Sequence, residues 1–270
     1  PHISVGAGQY LLIWCSDKNR TVVGSPLHTN FKISSSGNII SLSNQSGTVV
    51  DSVPATVIPS DISYGRLPNG TGSFVFFDTT TPNAVNSGIG YSEFMNPPLF
   101  SQNSGFMTAG FNLALSSTDS GSTVLYTLDG SEPDVNNLGG TAYNYKNQYP
   151  QHPGQASGPL LQQNFQTLQY SAPVSIIDRT SQPNKISTIS STYDYAPPYF
   201  PSSPIFKATV IRAKVVKSGA LSSKVVTTNY FTSPQGNGRF NLPVLSLILD
   251  ENKLYDYHKE IYVAGVDFVN

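Results

Sequence analysis

Cysteine is almost absent: Cys15 is the only one in 270 residues, so no intrachain disulfide can form and zinc sites built on paired cysteines are excluded. Charge is scarce as well, with Asp, Glu, Lys and Arg at 11% against about 25% in an average domain. The formal net charge of −1 supplies no field to draw in nucleic acid or an anionic membrane. No apolar run approaches the roughly 18 residues of a membrane span, and no signal-peptide or lipobox pattern is present. Also missing are a Gly-x-Ser-x-Gly elbow, a Walker phosphate loop, a Gly-x-Gly-x-x-Gly turn and a His-Glu-x-x-His pair. Carboxylates are sparse and sit mostly at turns, so no glycosidase pair can be nominated. His2, His28, His152 and His258 are scattered without metal-ligand spacing. These absences leave no catalytic, metal or cofactor residue to name, and they argue against nucleic-acid binding.

In place of charge stand Ser, Thr, Asn, Gln, Gly, Pro and Tyr, a composition suited to many short strands joined by turns. The expected fold class is mainly β, with room for two domains and part of a third. The clearest element is 124–133. Val124, Tyr126 and Leu128 share one face of an extended segment, and Leu125 and Thr127 share the other. Asp129-Gly130 then supplies turn chemistry, and Pro133 removes a ladder donor. Asp129, Glu132, Asp134 and Asn136 cluster here, but without the spacing of an EF-hand, and they read as a structural turn.

Upstream, the run 9–14 predicts a strand covered on both faces, with Cys15 a small apolar core residue. Alternation at Phe31 and Ile33, at Ile40 and Leu42, and over 48–53 predicts a three-strand meander. His28 reads as a structural hydrogen-bonding residue. Arg66 reads as an arginine that stacks on a ring or closes a loop, and 83–105 as a partly stiff linker.

Downstream, 143–150 reads as an aromatic-rich polar loop. Its Tyr143, Tyr145 and Tyr149 are the candidate carbohydrate-contact residues if exposed, or a lid lying flat on the sandwich if not. Leu161, Phe165 and Leu168 fit a two-turn helix. Lys207, Arg212, Lys214, Lys217 and Lys224 form the most basic stretch. Thr209, Ile211, Ala213 and Val215 are expected inward and Arg212 and Lys214 outward, as on a solvated edge strand. Finally, 242–250 predicts a buried strand, 251–257 a short helix and 261–265 a further strand.

Three stretches carry resemblances. Tyr126-Thr127-Leu128-Asp129-Gly130-Ser131-Glu132-Pro133, followed by Tyr170-Ser171-Ala172-Pro173-Val174-Ser175-Ile176, Val210-Ile211-Arg212-Ala213 and Thr228-Asn229-Tyr230-Phe231, resembles the β-sandwich module at the C-terminus of chitobiases and β-hexosaminidases, with longer connections at 134–169 and 178–205. Tyr10-Leu11-Leu12-Ile13-Trp14-Cys15-Ser16-Asp17, Leu27-His28-Thr29-Asn30-Phe31, Ser63-Tyr64-Gly65-Arg66 and Thr81-Pro82-Asn83-Ala84 resemble the latter part of a bacterial lamin-tail domain, an immunoglobulin-like sandwich. Leu242-Pro243-Val244-Leu245 and Ile261-Tyr262-Val263-Ala264-Gly265 resemble the start of a CotH-type kinase domain, with Glu260 where that family has Gly.

Together these imply a lamin-tail-like module at 1–90, a chitobiase-type module at 91–234, and the first α/β elements of a third domain at 235–270. The chain, beginning without Met partway through a strand pattern, reads as a piece of a longer exported bacterial protein. The resemblances imply non-catalytic accessory or anchoring modules at the cell surface, contacting surface polysaccharide or another surface protein. The alternatives are part of a protein kinase, with ATP and a divalent metal held by residues past 270, and a carbohydrate-binding module.

Overall fold

The computed structural model describes residues 3–146, 149, 153–154, 156, 158–185, 201–259, 262 and 265–266. The chain is mainly β, as its composition predicts, and it divides into two compact units: Pro1–Phe94 with Gly219–Leu221, and Met95–Ser218 with Ser222–Asn270. Residues 235–266 thus belong to the same unit as 95–218.

The first unit is built of small two-stranded sheets. β1 (Ile13–Trp14) pairs in parallel with β2 (Leu27–His28), β3 (Ile40–Ser43) pairs antiparallel with β4 (Val49–Val53), and β5 (Ser63–Leu67) pairs antiparallel with β6 (Ser73–Phe77). Its apolar centre lies at β6, where Phe76 and Phe77 are buried and Tyr64, Phe74 and Phe94 pack on the ring row. Two expectations fail here. The 9–14 run is not a covered strand: among the described residues only Ile13 and Trp14 of the run are paired, and Trp14 is 52% exposed. The meander loses its first strand, since Lys32 bridges to Ser16 instead of joining the β3–β4 hairpin. Cys15 is accordingly half-buried rather than in a core.

The second unit has a proper two-layer core. A five-stranded sheet in the order β14 (Leu168–Gln169), β11 (Thr123–Thr127), β16 (Thr209–Val216), β17 (Val226–Thr232), β8 (Gly105–Met107) is antiparallel except at the β17–β8 edge. Shorter pairs complete the unit: β7 (Leu99–Phe100) with β10 (Leu115–Ser116), β9 (Phe111–Leu113) with β15 (Val174–Ile176), and β12 (Thr141–Tyr145) with β13 (Leu161–Phe165). Leu113, Leu125, Ile176, Ile211, Ala213, Val215 and Tyr230 are buried, and Tyr230 meets Phe111 edge-on at 5.3 Å.

Strand β16 alternates as its sequence predicts, with Thr209, Ile211, Ala213 and Val215 inward. It is, however, an interior strand flanked by β11 and β17, not a solvated edge. The helix expected at 160–168 is also replaced. Leu161 and Phe165 are four residues apart, a spacing that satisfies the 3.6-residue period and the period of two equally, and β12 offers a ladder partner over the whole of β13.

Candidate functional site

The turn that closes β11 is assembled locally. Asp129 Oδ1 accepts from the Ser131 amide at 3.0 Å, Thr127 Oγ1 donates to the Ser131 carbonyl at 2.6 Å, and Gly130 takes φ +84°. Asp129 Oδ2 accepts from the Gln166 amide at 2.8 Å, which ties the turn to the chain beyond β13. Asp134 caps a 3-10 turn at Val135–Asn137 by accepting from the Asn136 amide at 2.9 Å. Asp129 and Asp134 are thus occupied by backbone amides, while Glu132 is exposed and faces Arg212. Among the described residues there is no group of three or more His, Cys, Asp or Glu arranged to hold a metal.

Arg212 projects from β16 over this turn. Its Nη1 donates to the Gly130 carbonyl at 2.9 Å and to Asp250 Oδ1 at 2.8 Å, and Nη2 stands 3.7 Å from Glu132. The Arg212 and Asp250 side chains are only 17% and 10% exposed, so the pair is largely desolvated and nothing like a surface charge. Lys253 adds a second contact to Asp250 at 2.6 Å, and that carboxylate holds the ammonium above the usual lysine range. Gly130 also lies against this segment: a Cβ there would stand 2.9 Å from the Leu249 carbonyl oxygen.

The first tyrosines of the 143–150 stretch stand on a strand and not on a polar loop. Tyr143 and Tyr145 lie in β12, and Tyr143 and Tyr149 are buried with Tyr255 and Tyr257 in a cluster that Tyr145, Phe165 and Leu254 complete. Of the two readings left open by the sequence, the rings follow the packed one, although what they pack against is the 250–257 segment. The cause is the short helix α1 (Glu251–Tyr255), which brings Tyr255 and Tyr257 across β12, and the Tyr257 amide donates to the Asn144 carbonyl at 2.7 Å. Burial, with Glu251 beside it, pushes the Tyr143 phenol far above its ordinary value.

Glu251 is a buried carboxylate that sequence reasoning missed. It is 2% exposed, and its Oε1 accepts from Tyr143 Oη at 3.0 Å and from Lys185 Nζ at 2.6 Å. Nothing local signals it, since Tyr143 lies 108 residues away. Glu251 and Lys185 stand in a cleft of about 960 Å³ lined also by Arg179, Lys207, Tyr255 and Tyr262.

The segment leading to this cleft corrects another expectation. Residues 242–249 are not a buried strand: Leu245 and Leu247 are 84% and 81% exposed, and no backbone hydrogen bond is made by 241–249 among the described residues. The expected helix at 251–257 is present as α1, whereas most of the strand expected at 261–265 lies outside the described residues, as do His2 and His152.

In the first unit, Arg66 closes a loop by donating to the Gly72 carbonyl at 2.9 Å, pairs with Asp51 at 2.7 Å, and stacks on Phe74 with its guanidinium carbon 4.2 Å from the ring centre. His28 Nδ1 is hydrogen-bonded to Ser16 Oγ at 2.7 Å. Loss of hydration, then the charges of Arg20 and Lys18, shift its pKa downward and favour the neutral ring. Both residues do structural work of the kind their sequence contexts predict.

Residues 113–230, from the end of β9 into β17, match the family model described as Fn3 associated. Over that stretch the chain is similar to a fibronectin-III-associated β-sandwich module. The match takes in the 129–133 turn, Tyr143 and Tyr145 of β12, and Arg212. No curated protein and no solved structure matches the chain. Among the described residues no helix is long and apolar enough to cross a membrane.

Proposed function

We propose that this chain is the non-catalytic front of an exported bacterial CotH-type protein, in which the second unit holds and presents the segment beginning at 235. The observation that carries this reading is the sandwich itself, similar to a fibronectin-III-associated module and joined to 250–257 by two polar anchors, Arg212 to Asp250 and Tyr143 to Glu251. Support for the CotH-type assignment comes from the resemblances at 10–86 and 242–265, and the cell-surface location follows from the same resemblance.

The turn, clamp and tyrosine cluster use their polar atoms for structure, and phosphoryl transfer needs metal ligands, a phosphate-binding cation and a positioned carboxylate converging on one pocket. In the cleft, Glu251 is already engaged by Lys185 and Tyr143. The role of this chain is therefore to position, while ATP-dependent transfer belongs to residues elsewhere in a longer protein.

The test is incubation of the 270-residue chain with labelled ATP, magnesium or manganese and a generic protein acceptor. The expected result is no label on the acceptor. Label transferred by this chain alone overturns the non-catalytic reading.

A further inference from the structure

The cleft lined by Arg179, Lys185, Lys207, Leu247, Glu251 and Tyr262 has a charge arrangement that the positioning role leaves unused. Five ionisable side chains of clear sign line it: Arg179, Lys185 and Lys207 against Asp129 and Glu251. Asp129 is occupied by the turn amides, and Glu251 is offset by Lys185. Arg179 and Lys207 are half-buried and bond only neutral acceptors: Arg179 Nε donates to Gln182 Oε1 at 2.7 Å, and Lys207 Nζ donates to the Ile205 carbonyl at 2.8 Å. Among the described residues neither has a carboxylate within ion-pair distance. Two part-desolvated cations with no counter-charge among the described residues favour an anionic ligand at this cleft wall.

The remaining surface narrows the class. Tyr262 is exposed and stands edge-on to buried Tyr255 with ring centres 5.7 Å apart, so its ring offers an apolar face fixed by its neighbour. Leu247 and Leu249 continue that apolar wall. Asn164 also lines the cleft and is exposed, so its side-chain amide can bond a ligand hydroxyl. Hydroxyl donors, an apolar CH face and carboxylates occur together in an acidic sugar. An inorganic polyphosphate brings the negative charge without an apolar CH face for Tyr262. The volume of about 960 Å³ accommodates a short oligomer.

We propose that this cleft binds an acidic oligosaccharide, with uronate carboxylates paired to Arg179 and Lys207, a sugar ring face on Tyr262 and a ring hydroxyl bonded to Asn164. This stands apart from the non-catalytic reading, since a binding cleft serves a presenting module and a catalytic one alike.

The experiment is calorimetric titration of the whole chain with tri- to hexagalacturonate, beside neutral galactan oligomers of equal length, inorganic phosphate and ATP, each at low and high salt. Uronate is expected to bind at sub-millimolar concentration. It should weaken at least tenfold in the Arg179→Ala/Lys207→Ala variant and weaken in high salt, while neutral oligomers bind at least tenfold less. Amide shift changes at 247–255 in the unaltered chain locate the site without relying on a variant. A silent uronate titration, equal binding of the neutral oligomers, shifts elsewhere than 247–255, or binding of phosphate or ATP in place of uronate overturns the proposal. A double variant that folds and binds as well as the parent does so too.

Discussion

Replacing Arg212 by methionine keeps the aliphatic stem that β16 packs around and removes only the fork that joins the 129–131 turn to Asp250. Two bonds are lost, the one to the Gly130 carbonyl at 2.9 Å and the one to Asp250 at 2.8 Å. Breaking a buried ion pair by removing one partner costs about 3–5 kcal/mol when the other charge is stranded. Asp250 is not stranded, because Lys253 still reaches it at 2.6 Å, although Lys253 is itself 68% exposed and well hydrated. The expected loss is therefore below that range, about 2–3 kcal/mol, close to one hydrogen bond to a charged group together with an orphaned carbonyl.

For a unit of this size that corresponds to a fall in melting temperature of about 4–12 °C, measured by circular dichroism or calorimetry. Asp250→Asn and the double variant complete a cycle, in which a coupling of about 1–3 kcal/mol is expected for residues in direct contact. A loss under about 0.5 kcal/mol for Arg212→Met, or additivity across the cycle, refutes the idea that this pair fastens the 250–257 segment to the sheet, because surface pairs give that little.

Gly130→Val is expected to cost about 1–3 kcal/mol, as for a residue forced into a sparsely allowed conformation, since Gly130 sits at φ +84° with the Leu249 oxygen 2.9 Å from any Cβ; calcium should leave both melting temperatures unmoved, and a calcium-dependent rise would show that the Asp129 cluster holds an ion. Burial raises the phenols of Tyr126, Tyr143, Tyr230 and Tyr255 above the free value. A raised folded pKa means their contribution is complete below the unfolded value of about 10 and is lost as pH climbs beyond it. Ultraviolet titration should therefore show these tyrosines ionising together with unfolding on the alkaline side, and independent ionisation near pH 10 in a still-folded chain contradicts their burial. Tyr143→Phe removes one of two donors to buried Glu251 and is expected to cost about 1–2 kcal/mol in urea unfolding; an unchanged midpoint means that Lys185 alone satisfies the carboxylate.

What could be read from the sequence was the chemistry of near neighbours. The Asp129-Gly130 turn is made by bonds across two to four residues, and the inward row of β16 by alternation within one strand, so both were legible. Arg66 likewise finds Gly72 six residues on. The misreadings share a different cause. Leu161 and Phe165 fit two periods, and only a partner strand twenty residues upstream decides between them. The tyrosines of β12 looked like a surface loop because their cover comes from Tyr255 and Tyr257, more than a hundred residues later. The 9–14 and 242–249 runs were apolar enough to predict covered strands, yet hydrophobicity states only that cover is favourable, and within their own units neither run receives it.

That contrast explains why a carboxylate is buried where an apolar residue would pack more cheaply. Leucines at 242, 245, 247 and 249 are exposed, and the segment makes no backbone ladder among the described residues, so they do not fix where it lies along the sheet. Asp250 and Glu251 remove that freedom. Each has a buried partner, Arg212 on β16 for Asp250 and Tyr143 on β12 for Glu251, and a slip of one residue would separate both acids from these partners, leaving Asp250 with Lys253 alone and Glu251 buried without Tyr143. The hydrophobic cluster supplies the attraction between α1 and β12, while the two acids fix where along the sheet it is satisfied. The same pairing sets Glu251 at the cleft beside Lys185, so the residues that hold the segment in register also decide which side chains the cleft presents.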